Sequence, residues 1–111
     1  MAKRGIVYQG TELKLNVHIE PVGTMSMEEY DFVCTAFCSV NKKVIATKEE
    51  CIKVDKDNYL LLVDTNLTGC GDLFIKVEAY LPDDAFVQSD NLRTEVDIVD
   101  TGLTIVSKYT R

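Results

Sequence analysis

Tryptophan is absent from this sequence, histidine occurs once and proline twice. The lone histidine, His18, has no convincing catalytic partner in the sequence, which argues against serine–histidine or cysteine–histidine catalysis, and one histidine excludes a histidine-rich metal site. Phosphate loops, H-E-x-x-H and G-x-S-x-G are all missing. No cofactor is expected, and the chain does not read as an enzyme. Positive charge is scarce as well. Twelve Lys and Arg face 18 Asp and Glu, a net charge of −6, so a nucleic-acid partner bound by phosphate neutralisation is excluded. No apolar run approaches the ~20 residues needed to cross a bilayer, which argues against membrane insertion. Lys3 and Arg4 are followed by no apolar stretch, so no secretory signal is read, and a soluble protein made in the cytoplasm is expected.

What is present is a chain of 111 residues, 46% hydrophobic and 27% charged, enough to bury one core without staples. The boundaries read as an N-terminal arm or edge strand over 1–10, a single domain over 11–107 and a tail over 108–111. Four cysteines invite a disulfide or zinc reading. Cys34 and Cys38 fall in one strand-like run, where four residues span about 13 Å, too far for the roughly 7 Å limit on bridged Cα atoms. They read as apolar filling on one face. Cys51 and Cys70 supply no second knuckle for zinc. Cys70, in the turn Thr68-Gly69-Cys70-Gly71, has no basic neighbour to activate its thiol.

The dominant period is two. From Glu12 to Glu20 every odd residue is aliphatic and every even residue polar, a half-buried strand with His18 on its wet face. Pro21-Val22-Gly23 ends it. Ser26-Met27-Glu28-Glu29 has capping-box spacing, with room for one turn before the next strand. Asp31–Val40 is apolar on both faces, with Phe32, Cys34, Ala36, Cys38 and Val40 on one and Val33 and Phe37 on the other. After a turn at Asn41-Lys42-Lys43, strands follow at Val44–Thr47, at Ile52 and Val54, at Tyr59–Val63 and at Asp72–Leu81. Leu92, Thr94, Val96 and Ile98 form an alternating strand with Arg93, Glu95 and Asp97 outside. Asp100-Thr101-Gly102 reads as a hairpin-type turn before a last strand, Leu103–Val106. Seven to nine strands with turns every 8–12 residues indicate an all-β, antiparallel, immunoglobulin-like β-sandwich. With no tryptophan, an antibody-type disulfide is not expected.

Chemistry-bearing residues are few. The pairs Glu28-Glu29, Glu49-Glu50 and Asp83-Asp84 are adjacent, and adjacent acids on extended chain diverge, so they read as solvated. Asp55-Lys56-Asp57-Asn58 lacks the glycine and distant glutamate of a calcium loop, while Asp83, Asp84 and Asp90 surround a loop that offers oxygens. Apolar side chains at outward positions stand out more: Val33 and Phe37 opposite the cysteines, and Phe74 and Tyr80 on the polar face of their strand. With Asp83, Asp84 and Phe86 of the following loop, they are the candidate protein interface. The alternative is a carbohydrate-binding or adhesive module, which needs an aromatic platform.

A longer cadence runs through Thr11-Glu12-Leu13-Lys14-Leu15-Asn16-Val17, Asp57-Asn58-Tyr59, Leu67-Thr68-Gly69-Cys70-Gly71-Asp72-Leu73, Val77-Glu78-Ala79-Tyr80-Leu81-Pro82-Asp83-Asp84-Ala85-Phe86, Asn91-Leu92-Arg93-Thr94-Glu95-Val96 and Thr101-Gly102-Leu103-Thr104-Ile105. It resembles the small immunoglobulin-like domains of phage and prophage virion proteins from gut Bacteroidetes. It is more distantly similar to the N-terminal domain of the phage baseplate upper protein family. The resemblance implies a structural role as a tail, baseplate, fibre-attachment or capsid-decoration subunit. Its partners would be other virion or tail proteins, possibly in a homo-oligomer, assembled in the host cytoplasm and then carried in the virion.

Overall fold

The structure, a computed structural model, describes residues 4–20, 25–39 and 42–109. The expected break at Pro21-Val22-Gly23, and Val40 and Asn41, lie outside the described residues. Eight strands are formed: β1 (Gly5–Tyr8), β2 (Glu12–His18), β3 (Asp31–Ser39), β4 (Lys42–Thr47), β5 (Ile52–Asp55), β6 (Asn58–Asp64), β7 (Gly71–Pro82) and β8 (Leu92–Val106). They build a five-stranded sheet in the order β1-β8-β7-β3-β4 and a three-stranded sheet in the order β2-β6-β5. Taking β2 to β8 as strands B, C, C′, D, E, F and G gives B-E-D facing G-F-C-C′, the immunoglobulin-type arrangement. One pair departs from the antiparallel expectation, since β1 runs parallel to β8.

Period-two patterning places the core between the sheets. Leu61 and Val63 of β6 meet Phe32, Cys34 and Ala36 of β3 and Leu73, Ile75, Ala79 and Leu81 of β7, all buried. Phe32 and Tyr59 pack edge to face with centroids 5.1 Å apart, the geometry favoured by aromatic quadrupoles. The capping-box sequence forms a single 3-10 turn, Met27–Glu29, in which the Ser26 N–H donates to Glu29 Oε2 at 2.7 Å. Lys42 and Lys43, expected in a turn, instead begin β4.

The second departure is larger. Asp100-Thr101-Gly102 does not turn the chain; it lies inside β8, which continues for 15 residues. The turn chemistry is real: the Gly102 N–H donates to Asp100 Oδ1 at 3.0 Å, and Gly102 takes φ +79°. Thr101 Oγ1 also donates to the Leu73 carbonyl at 2.8 Å, tying the irregularity back to β7. Phe74 pairs with Asp100 and Asp72 with Thr104, so β8 carries extra residues opposite Leu73. Local turn signals therefore produce a bulge, because cross-strand pairing resumes on both sides of it.

Candidate functional site

No strand lies beyond β2 among the described residues, and the sandwich consequently has a closed side and an open one. Strand A occupies that place in a four-stranded A-B-E-D sheet. Among the described residues no strand occupies it, and the outer edge of β2 has no strand partner above the first half of β8.

The outer face of the five-stranded sheet collects the sequence-derived candidates. Phe37 of β3 lies directly opposite Phe74 of β7, and the two rings stack at 5.9 Å. Val33 sits opposite Glu78, and Tyr80 opposite Asp31 and Thr94. Val33, Phe37, Phe74 and Tyr80 thus share one face. The Tyr80 hydroxyl donates to Glu78 Oε2 at 3.3 Å, and Lys76 holds the other Glu78 oxygen at 3.0 Å. That lysine and that hydroxyl keep the Glu78 carboxyl below its usual range. Burial and the neighbouring Glu78 charge push Tyr80 up.

Three apolar residues of this face were not among the sequence candidates. Ile45 is 54% exposed, Val96 57% and Ile98 56%. Ile98 pairs with Lys76 and Val96 with Glu78, so both point outward. The expected orientation of β8 is thereby reversed: Arg93, Glu95 and Asp97 lie on the side facing the sandwich interior, opposite Leu81, Ala79 and Val77. Alternation shows which residues share a face, and register with β7 decides which way that face points. The register was hidden by the bulge.

The candidates of the β7–β8 loop behave differently. Asp83 is a turn residue, accepting the Ala85 N–H at 3.0 Å and donating its own N–H to the Asn91 carbonyl at 2.7 Å. Asp84 is exposed, as is Phe86. Asp90 and Asn91 take left-handed backbone, φ 56° and 60°. Asp55 accepts from the Asp57 N–H and the Asn58 side chain, again as a turn former. No three His, Cys, Asp or Glu residues converge as a metal site among the described residues. His18 Nδ1 lies 2.9 Å from the Asp57 carbonyl and Nε2 lies 3.4 Å from Glu20 Oε1, so both ring nitrogens face acceptors.

The thiols are unbridged. Cys34 is fully buried, and its pKa is pushed far up by a hydrogen bond with Cys51 and by burial. Cys38 is also raised, by burial, and its thiol donates to the Gly71 carbonyl at 3.4 Å. Cys70 alone is exposed.

On the open side a groove of about 660 Å³ runs between β2 and β8. Its floor is Ile75, Val77 and Ala79 of β7, its walls Val17 and Ile19 on one side and Val99 on the other, and Glu20, Glu95 and Asp97 line it too. Val99 pairs with buried Ile75 on the interior side, yet is 50% exposed where it lines the groove. At that end of the sandwich Tyr30 is 4% exposed, and its hydroxyl has no hydrogen-bond partner among the described residues. Burial, helped by the charges of Asp57 and Glu95, raises its pKa.

No protein-family model matches this sequence, and no curated protein or solved structure matches it. No helix among the described residues is long and apolar enough to cross a membrane.

Proposed function

We propose that the protein is a non-enzymatic structural module of a phage or prophage particle, docking to other virion or tail proteins through the outer face of its five-stranded sheet. One observation carries the docking half of this reading. Ile45, Val96 and Ile98, each more than half exposed, share the outer face with the Phe37–Phe74 stack and form with it an apolar stripe across four strands that is interrupted at its centre by Thr35 and the Lys76–Glu78 ion pair. Exposed apolar side chains gathered on one face mark interaction sites. Stacked aromatics are favoured at interface centres because they bring large contact area with few rotamers to freeze. The phage half rests on the sequence resemblance.

Quantitative mass spectrometry of purified particles, made with wild-type chain or with Val96→Glu/Ile98→Glu, tests both halves. The wild type should be present at fixed stoichiometry, and the double variant should fold but be lost from particles. Absence of the wild-type chain overturns the phage assignment, and undiminished incorporation of the variant overturns the docking face. A specific signal on a glycan array would replace this reading with the carbohydrate-binding one.

A further inference from the structure

We infer that the groove beside β2 is an acceptor for an extended strand of another protein, one whose inward-facing positions, two residues apart along the strand, carry an apolar residue and then lysine or arginine. It is a second surface, on the opposite side of the large sheet from the stripe, and its occupant would complete the smaller sheet as a fourth strand.

The backbone provides the first part of the case. The Thr65 N–H donates to the Thr11 carbonyl at 3.3 Å, and Thr65 continues the β2–β6 register. In an antiparallel pair the residues that exchange bonds alternate. The odd residues of β2 therefore bond β6, and Asn16 and His18 turn their N–H and C=O groups to the free side. Neither has a backbone partner there among the described residues. A strand laid alongside would find a ready ladder, the geometry of β-strand addition.

The side chains select the occupant. A strand beside β2 would lie over the interior side of β8, where Val99, beside Ile75 of β7, calls for an apolar residue and Asp97 and Glu95, two and four residues before it on the same side, call for cations, so the apolar residue and the cations must share one face of the incoming strand. Glu20 stands on the opposite wall. A second copy of this chain fits poorly. Its net charge is −6, the same sign as the Glu20, Glu95 and Asp97 lining of the groove. Complementary charge favours a basic strand and rejects an acidic one.

The test uses synthetic peptides of about seven residues, the length of β2, with valine and two lysines at successive inward-facing positions and threonine between them. Controls carry glutamate for lysine, or proline at two central positions. Binding is read by fluorescence anisotropy, and the location by amide exchange. The lysine peptide should bind, with the glutamate and proline versions each weaker by at least about tenfold. On binding, exchange of the Asn16 and His18 amides should slow. Glu95→Lys/Asp97→Lys, both at exposed positions, should keep the fold by circular dichroism and invert the charge preference. No binding, equal binding of all three peptides, or protection confined to β8's free edge would overturn the proposal. So would self-association that protects Asn16 and His18 without peptide. The stripe variant Val96→Glu/Ile98→Glu should bind the lysine peptide at least as well as wild type, which separates this surface from the docking face; loss of binding there counts against the groove.

Discussion

The two halves of β8 belong to one strand and live in different surroundings. Leu103–Val106 is flanked by β1 on one side and by β7 on the other, and Ile105 is 1% exposed. Leu92–Asp100 has β7 as its one strand partner among the described residues; Val96, Ile98 and Val99 are each at least half exposed. Both halves are rich in β-branched residues, so propensity does not separate them. What separates Ile105 from Val99, both on the interior side, is how far that side is covered, and Val96 and Ile98 are exposed because they face outward. The same kind of side chain is core in one half and contact surface in the other.

The contrast breaks most visibly on truncation. Ile105→Ala should lower stability by about 2–5 kcal/mol, the usual cost of emptying a filled aliphatic site. Val99→Ala should change it by no more than about 0.5 kcal/mol. Urea midpoints at constant m-value decide, and equal losses would mean that the open half is in fact covered. Next in size is the junction. A Cβ on Gly102 meets no heavy atom within 4 Å, but the residue sits at φ +79°. Gly102→Ala should therefore cost about 1–2 kcal/mol through backbone strain alone, measurable in the same titration. A cost near zero would mean that the bulge can relax.

The smallest effect is a pH dependence at that junction. Arg4 grips both Asp100 oxygens, at 2.7 and 2.8 Å, and its hydrogen bond and the Gly102 N–H lower the Asp100 pKa from 3.8 to about 2. A carboxylate depressed on folding stabilises above its unfolded pKa, and that contribution fades as pH falls through the folded value. Asp100→Asn should lower stability at pH 7 and flatten the loss between pH 4 and 2. Parallel wild-type and variant acid curves would remove the Arg4–Asp100 pair from the account.

Much of this architecture was legible in the sequence, because period-two alternation is a direct imprint of a two-sided sheet. The odd residues of β2, the cysteine face of β3 and the inward set of β7 all fall where alternation puts them. The facing of β8 did not follow. Alternation assigned Val96 and Ile98 to a core on the assumption that aliphatic side chains go inside. That assumption fails because register with β7 turns both outward, and no local pattern reports that register. The Asp100-Thr101-Gly102 signal reads as a hairpin turn and is instead a bulge with Gly102 at φ +79°, because whether such a sequence reverses a chain or bulges it depends on β7 and β1. Phe37, Phe74, Val33 and Tyr80 were found because aromatic or aliphatic residues interrupt polar positions. Ile45 escaped because its short strand offered too few residues to show a face.

Tension along the chain would meet the β1–β8 pairing first. Because these strands run parallel, pulling the segment before β1 against the segment after β8 slides one strand along the other. All their cross-links then strain together, whereas an antiparallel hairpin pulled from its open end parts one bond at a time. Arg4 adds four side-chain bonds at the same seam, to Thr104, to both Asp100 oxygens and to the Leu103 carbonyl. The seam is a shear clamp, and the molecule should yield to force along its length far less readily than to force applied across the β7–β8 tip.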